Sequence, residues 1–91
     1  MSSPNPALRA KPLVLVVDDE PRNLQLVGGL LKEKGYDLIM SASGPDAIES
    51  AKENFPDLIL LDVMMPGMDG YEVAATLKKD RHLRRVPIIF L

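Results

Sequence analysis

Residues 56–70 read Pro-Asp-Leu-Ile-Leu-Leu-Asp-Val-Met-Met-Pro-Gly-Met-Asp-Gly, and this stretch decides the fold. Leu58 to Leu61 form a continuous apolar run, the pattern of a strand covered on both faces rather than one alternating toward water. Asp62 follows with no polar residue leading into it. Pro66, Gly67 and Gly70 then supply turn formers. The chain therefore leaves a buried sheet at Asp62 and swings away at once. A carboxylate there is backed by hydrocarbon and open to a loop, a costly position for structure alone. In open α/β folds, ligands bind at that rim, outside the carboxyl ends of the strands.

A second run of the same kind lies upstream. Leu13 to Val17 is apolar and mostly β-branched, and it stops at Asp18-Asp19-Glu20. Pro21 follows, well placed for the first position of a helix, with acids before it that complement the helix dipole. A helix is predicted from about Pro21 to Lys34 and ended by Gly35. Leu24, Val27, Gly28 and Leu31 form its inner stripe, and Leu26 and Leu30 form a second one. Tyr36 to Met40 is a weaker strand. Ser43 and Gly44 open another helix at Pro45 and Asp46, with Ala47, Ile48, Ala51 and Phe55 on one face and Pro56 closing it. Beyond the loop, Asp69 caps a third helix with Glu72 in its first turn, and Val73, Ala74 and Leu77 face inward. Pro87 to Leu91 is a fourth apolar strand.

The order is strand, helix, strand, helix, strand, helix, strand. Each crossover is long enough for a right-handed βαβ unit, so the sheet is expected to be parallel. Met1 to Pro12, with three prolines and two serines, reads as a mobile tail or linker, and residues 13–91 as the folded domain.

Composition narrows the function. A chain of 91 residues is one domain at most, and 46% hydrophobic content is ample for a core. A formal net charge of −2 leaves no general footprint for nucleic acid. Without cysteine there is no disulfide framework or thiolate chemistry, and a single histidine argues against most zinc sites. No apolar run approaches the roughly 20 residues of a membrane span, and the N-terminus lacks the apolar middle of a signal peptide. The sequence reads as cytoplasmic, with no membrane partner.

In a parallel sheet all strand C-terminal ends lie along one edge. If the first and third strands are neighbours where strand order reverses, Asp18, Asp19 and Asp62 converge on one crevice. Like charges that close repel, so a cation is expected between them. Hard oxygen ligands with sites left for water favour Mg²⁺ or Mn²⁺ over zinc.

The Val-Val-Asp-Asp-Glu stretch, followed at this spacing by Leu-Ile-Leu-Leu-Asp-Val-Met-Met-Pro-Gly-Met-Asp-Gly, resembles the receiver domain of two-component response regulators. The resemblance covers Leu13 to Leu91. It implies a flavodoxin-like, doubly wound α/β fold with strand order 2-1-3-4-5, of which this chain supplies four strands and three helices. It implies Asp62 as phosphoacceptor, Asp19 as a direct Mg²⁺ ligand, Asp18 as a second acid acting through water, and the backbone carbonyl of Met64 as a further ligand. The implied reaction moves a phosphoryl group from a phosphohistidine on a sensor histidine kinase or phosphotransfer protein to Asp62. That makes the chain a regulatory domain rather than an enzyme acting on a separate substrate. The family's Thr or Ser after the fourth strand, and its Lys after the fifth, are expected beyond Leu91.

Bland readings stand beside these. Asp18, Asp19 and Glu20 alone are helix-start acids, and Asp62 alone is a strand-end residue; their combination at strand ends makes the pocket. The basic run Lys78 to Arg85 reads most simply as a solvated helix end, with a partner patch as the lesser alternative, and His82 reads as a surface residue rather than a phosphodonor or ligand. Met64, Met65 and Met68 read equally as loop packing or as a partner-facing surface. A haloacid-dehalogenase-like phosphatase needs a second Asp two residues after the first, where Met64 and Glu20 stand instead. Neither Gly-x-x-x-x-Gly-Lys nor Gly-x-Gly-x-x-Gly occurs. The rival reading is a receiver-like interaction module that is not phosphorylated. Self-association, through the fourth strand or the first-helix face, is expected of a chain ending at Leu91.

Overall fold

In the computed structural model, which describes residues 9–91, seven elements alternate: β1 (Leu13–Val17), α1 (Pro21–Glu33), β2 (Asp37–Ser41), α2 (Gly44–Asn54), β3 (Leu58–Leu61), α3 (Gly70–Lys79) and β4 (Ile88–Phe90). The sheet is wholly parallel with order β2-β1-β3-β4, as the flavodoxin-like reading requires. Strand order reverses between β1 and β3, so the crevice at their C-terminal ends is the ligand-binding position of this fold.

Strand periodicity sorts the core into two faces. Leu15, Val17, Ile59 and Leu61 are fully buried against Ala47 and Ala51 of α2 and Val73 and Leu77 of α3. Val14 and Val16 point the other way and are also buried. On that face α1 packs over β2, where Gly28 lets the helix approach Leu38 and Met40. Leu58 and Leu60 of β3 lie on the same face but are half-buried. Full cover on both sides therefore holds for β1 and only partly for β3, because α1 is the one helix on that face among the described residues. Leu26 and Leu30 remain 66% and 54% exposed. Ile89 and Phe90 of β4 are exposed as well.

Element ends follow local hydrogen bonding. At the end of α1, Gly35 takes φ +89° and its N–H donates to the Lys32 carbonyl, while Tyr36 N–H donates to Leu31. This is a Schellman closure. It uses up the Tyr36 donor, so β2 begins at Asp37 rather than Tyr36 and runs one residue beyond Met40. Pro87 has no N–H to give, so β4 begins after it, although its carbonyl accepts from Ile59. Ser43 caps α2 through its side chain, and Asp69 and Glu72 form a reciprocal capping box on α3. Phe55 ends α2 in the left-handed region at φ 48° and packs on the core from there.

The tail departs in part from its sequence reading. Met1–Leu8 lie outside the described residues, but Arg9 is tied down. Its guanidinium donates to the Phe55 carbonyl (2.7 Å), to the Asn54 carbonyl and to Asp57 Oδ2 (3.2 Å). Asp57 Oδ2 also accepts from Leu13 N–H at 2.7 Å. Arg9 thus occupies carbonyls left open at the end of α2 and fixes the entry to β1.

Gly70 joins the fold to its crevice. A Cβ there would lie 2.4 Å from the Asp62 carbonyl oxygen and 2.8 Å from Val63 Cα, both backbone atoms that cannot step aside. A Cβ on Gly29 would meet nothing within 4 Å. Gly70→Ala is expected to destabilise the domain by about 2 kcal/mol through overpacking. Gly29→Ala, in an exposed helix interior, is expected to stabilise it by roughly 0.5–1 kcal/mol. Urea melts of the two variants check this; equal midpoints would show that α3 does not pack as closely on the Asp62 backbone as described.

Candidate functional site

Register places the acids. In the β1–β3 ladder Val17 pairs with Leu61, so Asp18 and Asp62 leave adjacent strands side by side. Asp62 N–H donates to the Val17 carbonyl at 2.9 Å and Asp18 N–H to the Ser41 carbonyl at 3.1 Å. Both residues are therefore fixed by the sheet up to their own Cα. Asp18, Asp19 and Asp62 each bring a carboxylate oxygen within 4.8 Å of the other two.

The three acids are held differently. Asp18 is buried at 5% exposure, and both of its oxygens are occupied: Oδ1 accepts from Glu20 N–H at 3.0 Å and Oδ2 from Asn23 Nδ2 at 3.1 Å. Asp19 is exposed. Asp62 is half-buried, and its Oδ1 accepts from Met64 N–H at 3.1 Å. The Asp62 carboxyl is pushed above its ordinary value. Burial is the largest cause; the charges of Asp18 and Asp19 push the same way, against the Met64 amide. Each of these causes disfavours a third negative charge in the crevice. Hard oxygen donors that repel one another suit a small divalent cation such as Mg²⁺ or Mn²⁺.

Asn23 carries no motif and escaped the reading of the sequence. It stands in the first turn of α1, five residues after Asp18, where a side chain faces back to the strand end. A polar amide in that turn was the only signal available. The methionines divide: Met65 is buried, Met68 packs on the core and against the position of Gly44, and Met64 is 81% exposed beside the crevice. Loop packing thus accounts for two of the three. His82 is exposed, with its ring 6.1 Å from that of Phe55 at the end of the domain away from the acids.

A family model described as the response regulator receiver domain matches residues 14–91. The chain belongs to this family. It is 41% identical over 76 residues to the polar-differentiation response regulator DivK of Brucella ovis, covering 84% of this chain and 62% of that protein. To the response regulator PleD of Caulobacter vibrioides it is 42% identical over 78 residues, covering 86% of this chain and 17% of that one. Among solved structures, the chemotaxis protein CheY4 of Vibrio cholerae matches with TM-score 0.86 and 32% identity over 89% of this chain and 68% of that one. The receiver domain of a Pseudomonas aeruginosa sensor histidine kinase, solved with a magnesium ion coordinated in its active-site cleft, matches with TM-score 0.85 and 34% identity over 89% of this chain and 66% of that one. The receiver domain spans somewhat less than two thirds of the DivK relatives it matches. No helix among the described residues is long and apolar enough to cross a membrane.

The raised Asp62 carboxyl has a consequence for stability. A raised acid favours folding below its ordinary value, and that contribution is lost as pH rises through the raised value. At neutral pH with divalent cations chelated, the ionised Asp62 therefore costs stability. Asp62→Asn, nearly the same size, is expected to melt several degrees above the parent chain at pH 7, with the difference shrinking at pH 4. A lower melting temperature for Asp62→Asn at pH 7 would contradict the crowded-charge account.

Proposed function

We propose that this receiver domain accepts a phosphoryl group on Asp62 from a phosphohistidine of a sensor histidine kinase or phosphotransfer protein and thereby switches an output in the cytoplasm. The observation that carries the reading is the meeting of Asp18, Asp19 and Asp62 at the ends of two adjacent strands. We take residues 13–91 as the receiver unit and the segment before them as its lead-in.

Asp19, Asp62 and the Met64 carbonyl would hold Mg²⁺ or Mn²⁺ directly, and Asp18 through water, since hydrogen bonds already occupy both of its oxygens. Bound there, the cation supplies positive charge against the carboxylates and the phosphoryl oxygens. The Met64 amide holds Oδ1 of Asp62 and leaves Oδ2 as the nucleophile. Oδ2 bonds to phosphorus as the phosphorus–nitrogen bond of the phosphohistidine breaks. The electron pair stays on the departing imidazole, which takes up a proton, and the product on Asp62 is an acyl phosphate. Half-burial leaves Asp62 reachable by a donor, while the hydrocarbon beneath it strengthens each electrostatic contact.

Acetyl phosphate with Mg²⁺ is expected to add one phosphoryl group to the chain by intact mass and none to Asp62→Asn. Asp19→Asn is expected to need far more Mg²⁺. In the parent chain, Mg²⁺ at ten times its dissociation constant stabilises by about 1.4 kcal/mol, and this protection is lost in Asp19→Asn. Labelling that survives in Asp62→Asn would move the acceptor elsewhere. A folded, Mg²⁺-binding chain that is never labelled would favour a receiver-like interaction module.

Self-association belongs to the same reading. Leu26 and Leu30, and Ile89 and Phe90 on the β4 edge, are open among the described residues. Sedimentation equilibrium over a hundredfold concentration range is expected to show a mass that rises with concentration; a constant monomer mass would remove this expectation.

A further inference from the structure

The net charge of −2 conceals a strongly polar distribution. Strands point toward the acidic crevice and helices run back from it. Of the eleven Lys and Arg, Arg22 alone sits at the crevice end, in the first turn of α1. The others lie before β1, near the last turns of the helices, or between α3 and β4. The densest group is Lys78, Lys79, Arg81, Arg84 and Arg85, within eight residues at the opposite pole from Asp62.

A solvated helix end explains only part of this group. Lys78 is structural: its Nζ donates to the carbonyls of Arg84 (2.9 Å) and Val86 (3.2 Å) and ties the loop to α3. Lys79, in the last turn, complements the helix dipole. Arg81, Arg84 and Arg85 stand beyond the helix, exposed. None has a carboxylate within ion-pair distance, the one ion pair among the described residues being Arg9–Asp57. Asp80 is turned inward to the loop, accepting from His82 N–H at 2.8 Å through its side chain and from Leu83 and Arg84 through its carbonyl. Leu83, 1% exposed, pins the loop in the core. Three like charges are thus presented on a braced loop, without a counter-charge and without a role in the fold.

We infer that the α3–β4 loop, through Arg81, Arg84 and Arg85, docks a carboxylate-rich segment of a partner protein at the pole opposite the phosphoacceptor. Guanidinium forks match carboxylates two bonds at a time, which ammonium groups do not. A braced loop also loses little freedom on binding. Nucleic acid fits less well. No Phe, Tyr or Trp lies in residues 78–87 to stack on bases, and the His82 ring is already set edge-on against Phe55.

The test is fluorescence anisotropy of a labelled ten-residue glutamate peptide titrated with the chain at low ionic strength. Arg81→Gln/Arg84→Gln/Arg85→Gln is compared with Lys32→Gln/Lys34→Gln/Lys52→Gln, which removes the same charge from the same pole. Binding is expected to weaken with salt. It should fall about tenfold in the arginine variant and change less than about twofold in the lysine variant. Melting curves confirm folding. Should the triple arginine variant melt early, Arg81→Gln and Arg85→Gln singly are each expected to cost roughly twofold. Equal losses in the two triple variants would reduce the effect to a diffuse field and overturn the site, as would no binding by the parent chain. Tighter binding of duplex DNA of equal charge would overturn the proposed occupant.

Discussion

The structure depends on one ladder, the parallel pairing of β1 with β3. Its register sets Val17 against Leu61 and so brings Asp18 and Asp62 out of the sheet together. Two like charges about 4 Å apart repel by roughly 1–4 kcal/mol between the limits of bulk water and a protein surface. Beneath them Leu15, Val17, Ile59 and Leu61 are fully buried, each contributing roughly 1.5–3 kcal/mol. Hydrophobic burial outweighs the repulsion, so the sheet can hold carboxylates where they would not gather by themselves. The site is a cost carried by the core.

Local hydrogen bonding decides how that cost is distributed. Asp18 has both oxygens satisfied and is nearly sealed from water, whereas Asp62 has one amide donor and an open side. Adjacent carboxylates therefore differ in their surroundings: Asp18 is engaged at both oxygens, and Asp62 keeps one oxygen open. The loop after Asp62 keeps this difference in place. Gly70 rests on the Asp62 backbone, Gly44 on Met68 and Val73, and the Asp69–Glu72 capping box starts α3 directly behind. Slack in any of these would let the crevice wall move relative to the acids.

The two poles have different physical origins. The acid pole is enforced by strand register and lies where the fold exposes strand ends and helix N-termini. The basic pole is set by side chains on a single braced loop, which could change without altering the sheet.

Much was legible in the sequence by itself. The apolar runs Leu13–Val17 and Leu58–Leu61, each stopped by aspartate, pointed to the strands and to the acidic crevice together, because an apolar run ending in a charge has few other resting places. Caps at Ser43 and Asp69 and the closure at Gly35 were local signals and were read locally. Tertiary structure decided what no local pattern carries. Neighbouring of β1 and β3, which the residues by themselves gave only on the condition of a switch point and the family resemblance implied, needed the sheet to assemble. Asn23 acquired its part by facing Asp18 across a helix start, and Arg9 by reaching carbonyls more than forty residues away. The uneven cover of β3 arose from which face each crossover helix chose. Propensity and burial pattern act within a few residues, so a sequence can announce them; partnership between distant residues is created only when strands pair and helices pack.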